Sequence, residues 1–144
     1  LPFKDNSGDL IYASHVIDYF DRVEIIEVLN KWKSKLKSGG TLRLAVPNFK
    51  TMAKLYIEKN IPLNNFLGPL YAKMKMGEDF IFHKTTYDFD SLKELLDEVG
   101  FHSMDYYLWQ ETEHGIFDDH SQAYIPHMDK ENGTLISLNI EVKK

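Results

Sequence analysis

Apolar residues recur along the chain with two different periods, and the period assigns the elements. Residues 9–14 (DLIYAS) form a short run apolar on both faces, the pattern of a strand buried in a parallel sheet. From Asp21 onward, Ile25, Val28, Leu29, Trp32 and Leu36 fall three or four apart and make one helical stripe. Asp21 and Glu24 have capping-box spacing. Lys31, Lys33, Lys35 and Lys37 load the far end, where cations suit the helix dipole. Gly39-Gly40 reads as the helix stop, and residues 41–46 (TLRLAV) as a second strand ended by Pro47. Strand, helix and strand make a βαβ unit, whose crossover is right-handed by rule.

The pattern turns helical again over 49–59, with Met52, Leu55 and Tyr56 on one side. Pro62, Gly68 and Pro69 interrupt residues 61–79, which predicts short helices or a mobile lid. Asp88 or Asp90 caps a helix carrying Leu92, Leu95, Leu96 and Val99, and Gly100 stops it. Residues 101–110 read as a third strand and 134–142 (TLISLNIEV) as a fourth. The polar stretch 111–133 between them reads as a long loop, a feature that is more often functional or mobile than regular. The pairing expected is parallel between 9–14 and 41–46.

Composition narrows the class. The 144 residues suit one domain spanning 1–144. With 43% apolar and 27% charged residues the chain can repay its ordering entropy, so it is not a disordered chain. Lys plus Arg is 17 and Asp plus Glu is 22, a net charge of −5 that argues against nucleic-acid and anionic-membrane partners. Apolar runs are too short for a membrane span, and no signal peptide opens the chain, so a cytoplasmic location is expected. Cysteine is absent, which removes disulfides, thiolate metal sites and thiol nucleophiles. His114, Asp118, Asp119, His120, His127 and Asp129 are competent metal ligands, but their spacing is irregular and no metal site is expected.

The order of these motifs resembles a known family. LPFKDNSGDLIYASHVIDYF, then EIIEVLNKWKSKLKSGGTLRLAVPN, then HKTTYDFDSLKELLDEVGF and the terminal ISLNIEV are similar to the second half of class I S-adenosylmethionine (SAM) dependent methyltransferases of the type 11 kind. The resemblance covers nearly the whole chain. It departs at Gly8, where the family usually has an aromatic residue, at Ser38, which replaces a proline, and at Asp18-Tyr19, which replace a Glu-His pair. The family's first three strands, with the glycine-rich loop that approaches the methionine part of SAM, have no counterpart here. The chain opens on Leu1, and a longer reading frame is expected upstream.

The resemblance implies a partial Rossmann-like α/β fold, a mixed sheet of about four strands flanked by helices, with two strands parallel and the last, 134–142, antiparallel beside 41–46 and inserted between it and 101–110. It implies methyl transfer from SAM to a small or sugar-like acceptor, with the isolated chain expected to be inactive. Ala13, Ser14 and His15 would face SAM at the carboxyl end of strand 9–14. Tyr19, Asn48, Lys84 and Tyr87 would face the acceptor, with His83 as candidate base. Bland readings stand beside these: Ser14 capping a turn, His15 satisfied by backbone, Asn48 capping the next helix, and residues 83–87 as a solvated linker. The outer edge of strand 9–14 is expected to be open and apolar, ready to join a second copy as a homodimer. The alternative function is accordingly a non-enzymatic module that self-associates through that edge.

Overall fold

The computed structural model describes residues 1–144. Its elements are β1 (Gly8–Ser14), α1 (Glu24–Lys35), β2 (Leu36–Pro47), α2 (Phe49–Glu58), α3 (Asn64–Tyr71), a hairpin of β3 (Met74–Met76) and β4 (Asp79–Ile81), α4 (Phe89–Val99), β5 (His102–Tyr106), β6 (Tyr124–Ile125), β7 (Thr134–Leu135) and β8 (Ser137–Lys143). The main sheet has the order β1-β2-β8-β5. β1 runs parallel to β2, and β8 is antiparallel to both β2 and β5. This is the expected mixed α/β sheet, including the insertion of the last strand. No helix is long and apolar enough to cross a membrane.

The helix starts follow the sequence signals. Asp21 Oδ1 accepts from Glu24 N at 2.8 Å while Glu24 Oε2 accepts from Asp21 N at 2.9 Å, closing the capping box at the start of α1. Asp88 and Ser91 do the same for α4, and Gly100 ends it with φ +90°. Ile25 and Leu29 of α1, with Leu92, Leu95, Leu96 and Val99 of α4, bury against one face of the sheet. Leu42, Leu44, Val46, Leu138, Ile140 and Val142 supply that face by period-two alternation. A second, smaller core joins Met52 and Leu55 of α2 and Phe66 of α3 to Ile125 and Ile136. Tyr56, expected with them, is half-exposed.

Three boundaries differ from expectation. Gly39-Gly40 does not stop α1, which ends at Lys35; the glycines sit inside β2. There the register jumps from Gly8 opposite Leu36 to Leu10 opposite Thr41, a bulge that Gly39 accommodates at φ +75°. The strand expected over 101–110 ends at Tyr106, twisted by a bulge near Ser103, whose φ is +57°. Residues 111–133 are not a solvated excursion. Short 3-10 turns at Glu113–Ile116 and His120–Gln122 and the β6–β7 pair lay this segment over the sheet's second face.

That second face is polar. Arg43 on β2 faces Glu141 on β8 at 2.6 Å and also reaches Glu113 of the covering segment at 3.0 Å. Tyr12 of β1 donates to Asp119 Oδ2 at 2.5 Å, and its ring stacks on His114 at 3.7 Å between centroids. Gln122, buried, ties the segment to itself by donating to the Gly115 and Phe117 carbonyls at 3.0 and 2.9 Å. The residues that look like a solvated polar loop therefore form a second layer held by hydrogen bonds.

The bulge yields a first prediction. A Cβ on Gly40 would stand 2.9 Å from Lys37 O and 3.1 Å from Gly8 O, both main-chain atoms. Gly40→Ala is expected to destabilise the chain by about 1–3 kcal/mol, as overpacking against rigid neighbours does. The shift of the urea midpoint measures it, and an unchanged midpoint would show that the bulge relaxes freely.

Candidate functional site

The site is built where β1 leaves the sheet. Ser14 is its last residue, and His15 follows in a left-handed conformation, φ +52°. This turn lets His15 N still bond Ala45 O of β2 at 2.7 Å while the chain swings into the single turn Ile17–Tyr19. The His15 ring passes over the start of β8. Its Nε2 lies 3.1 Å from Ser137 Oγ.

A hydrogen-bond chain sets the tautomer of that ring. Asn139 Nδ2 donates to Ser121 O at 2.9 Å, so its Oδ1 is the atom that accepts from Ser137 Oγ at 2.8 Å. Ser137 has then used its only hydrogen and can only accept from His15 Nε2–H. Burial pushes the His15 pKa down to about 3, and His120 and His83 nearby add to the effect. The imidazole is neutral, with Nδ1 carrying a free lone pair.

His83 is a second neutral imidazole. Its Nδ1 faces the Pro69 carbonyl at 3.2 Å, which accepts only, so the proton sits on Nδ1. Its Nε2 is buried without a partner. Burial lowers its pKa, opposed by the carbonyls of Pro69 and Leu70. The Tyr19 ring meets His83 edge-on at 4.6 Å, and Tyr19 OH donates to Ala72 O at 2.8 Å. Asp119 lies across from them. Burial alone would raise its pKa, but hydrogen bonds from Ser121 and Tyr12 outweigh that and keep it ionised. Together these groups border a cavity of about 880 Å³ between the end of β1, α3 with the hairpin, and the covering segment.

Four of the eight residues singled out from the sequence line this cavity: Ser14, His15, Tyr19 and His83. The other four stand elsewhere. Ala13 points into the main core. Asn48 caps α2, its Oδ1 accepting from Thr51 N at 3.5 Å. Lys84 pairs with Glu24 at 2.9 Å and borders a smaller adjoining cavity rather than this one, and its main-chain N bonds Asp18 O. Tyr87 is 1% exposed, a core residue under the Arg22 guanidinium at 4.4 Å, and presents no surface to a ligand. Sequence reasoning passed over Ser137 and Asn139 as parts of an apolar strand. Two polar residues at i and i+2 in such a strand were the available signal, because they mark one polar face. His120 and Asp119 were weighed only as metal ligands.

Asp18, next in the chain to Tyr19, is fully buried, and neither carboxylate oxygen has a partner. Burial pushes its pKa from 3.8 up to about 7, against a weaker lowering by its own backbone and Arg22. Between these values the folded chain keeps a proton that the unfolded chain has released. That stability is present in acid and is lost as pH rises through 7. His15 has the opposite sense: its contribution is full above 6.5 and is lost as pH falls toward 3. Asp18→Asn is therefore expected to raise Tm, relative to the parent, more at about pH 8 than at about pH 5. Scanning calorimetry checks this, and equal shifts at both pH values would refute it.

No family model matches the sequence, and no curated protein does. Solved structures match over the whole chain. A SAM-dependent methyltransferase from Thermotoga maritima is 18% identical with a TM-score of 0.61, covering 100% of this chain and 59% of its own. One from Methanosarcina mazei is 18% identical at a TM-score of 0.57, covering 100% and 62%. One from Archaeoglobus fulgidus is 18% identical at 0.54, covering 99% and 62%. The chain thus spans about three fifths of the length of these three structures, and its fold is that of class I SAM-dependent methyltransferases.

Proposed function

We propose that this chain forms the acceptor side of a SAM-dependent methyl-transfer site, with the sulfonium end of SAM meeting the cavity at Ser14 and His15. The observation that carries this reading is the cavity's place, at the carboxyl end of a parallel strand, in a chain with this fold. The wall chemistry suits a cationic donor. His15 is held neutral and does not repel it, Asp118 and Asp119 add carboxylates, and Ser14 Oγ is buried without a partner. SAM, when bound, supplies an electrophilic methyl group. The chain's own work is to hold the acceptor close and aligned, where proximity contributes most of the rate. His83 Nε2 is free to take the proton of a hydroxyl or amine acceptor.

Calorimetric titration with SAM and S-adenosylhomocysteine tests the reading. Saturable binding is expected with a dissociation constant of about 1 mM or tighter, equivalent to about 4 kcal/mol or more. No heat at millimolar ligand would remove SAM from this chain's function.

A second reading rests on the outer edge of β1, which pairs only with β2 and carries Leu10 at 40% exposure. In that reading the chain is a self-associating module, and two copies join sheets across β1. Sedimentation over a dilution series is then expected to show a dimer that dissociates. A monomer at every concentration would remove this reading.

A further inference from the structure

The two ends of the cavity differ in chemistry. Toward the sheet its wall carries His15, Asp118, Asp119 and His120. Toward the hairpin it is Met74, Met76 and Ile81, with Met128 and Lys73 also on the wall, the Lys73 ammonium lying 4.4 Å over the Phe80 ring. A second cavity of about 530 Å³ shares Tyr19, Phe20, Met76, Ile81 and His83 with the first and continues onto Phe80, Phe82 and Lys84. His83 stands at the junction. It is 9% exposed, and its Nε2 lone pair has no donor in the protein.

Each part of this wall selects a ligand feature. A buried lone pair without a donor is costly, and a ligand hydroxyl would satisfy it. Thioether and aliphatic walls favour flat apolar rings, which methionine sulfur contacts well. A molecule with hydroxyls all round would have to strip water from the groups that meet Met74, Met76 and Ile81, at a cost for each.

We propose that the cavity takes a molecule with a flat apolar body and one hydroxyl, the hydroxyl donating to His83 Nε2 and the body lying along Met74, Met76 and Ile81. The proposal rests on the methyltransferase reading, in which this molecule is the methyl acceptor, and it replaces a sugar-like acceptor by an aromatic or polycyclic alcohol.

The test uses the full chain labelled with ¹³C in the methionine methyl groups and titrated with 1-naphthol, followed by NMR. Met104, packed against the main core and away from the cavity, is the internal reference. Saturable shifts are expected for Met74 and Met76, with Met104 unmoved. The methyl ether, 1-methoxynaphthalene, is expected to bind about fivefold more weakly, the loss of one hydrogen bond. Met76→Glu, at a position 58% exposed and so tolerant of the change, places a charge in the apolar wall. It is expected to weaken naphthol about tenfold. The proposal is overturned if naphthol leaves Met74 and Met76 unmoved, if methyl glucoside binds as well as naphthol, or if ether and alcohol bind alike. The naphthol titration requires no SAM. Its failure strikes the acceptor class alone, whereas failure of the SAM titration strikes the methyltransferase reading.

Discussion

On the two central strands both faces of the sheet are covered, and the alternation along β2 and β8 decides what each layer contains. Leu44 stands opposite Ile140 and belongs to the apolar layer under α1 and α4. One step along, Arg43 stands opposite Glu141 and Ala45 opposite Asn139, facing the covering segment. A slip of one residue would drive Arg43 and Glu141 into the apolar layer and empty the polar one. The register is therefore the constraint on which the cavity depends, because Ser137 and Asn139 reach His15 and Ser121 only in this pairing.

From that register the chemistry follows by hydrogen-bond arithmetic. Asn139 can orient only one way, since its amide hydrogen goes to a main-chain carbonyl. Ser137 must then give its hydrogen to Asn139, and His15 must give its own to Ser137. One amide in the second layer thus determines which imidazole nitrogen of His15 keeps its lone pair. His83 reaches the same state by a shorter route, through a carbonyl of α3. Both imidazoles are held neutral, and each keeps one nitrogen as an acceptor.

Much of this was legible in the sequence because it depends on local rules. The caps at Asp21 and Asp88 and the stripe through Ile25 and Leu29 follow from period and turn chemistry, and the insertion of the last strand from the family resemblance. The bulge at Gly39-Gly40 was not legible, since two glycines after a basic helix end signal a stop as readily as a bulge. The site was half legible. Ser14, His15, Tyr19 and His83 line the cavity, whereas Tyr87, close to His83 in the chain, is turned into the core. The second layer was hidden for a physical reason. Its residues are polar because they face a polar sheet, and composition alone cannot distinguish that from facing water.

The hairpin β3–β4 differs from everything else around the cavity. Its strands are three residues each, they pair only with one another, and their side chains are largely exposed. The covering segment opposite is anchored by Tyr12, Arg43 and Asn139 from three strands of the sheet. Opening the walls therefore has unequal free-energy costs, and the hairpin is the element with the least to lose. Traffic in and out of the cavity would pass on that side, and the residence time of anything bound there would be set by how often six residues of backbone let go rather than by the sheet.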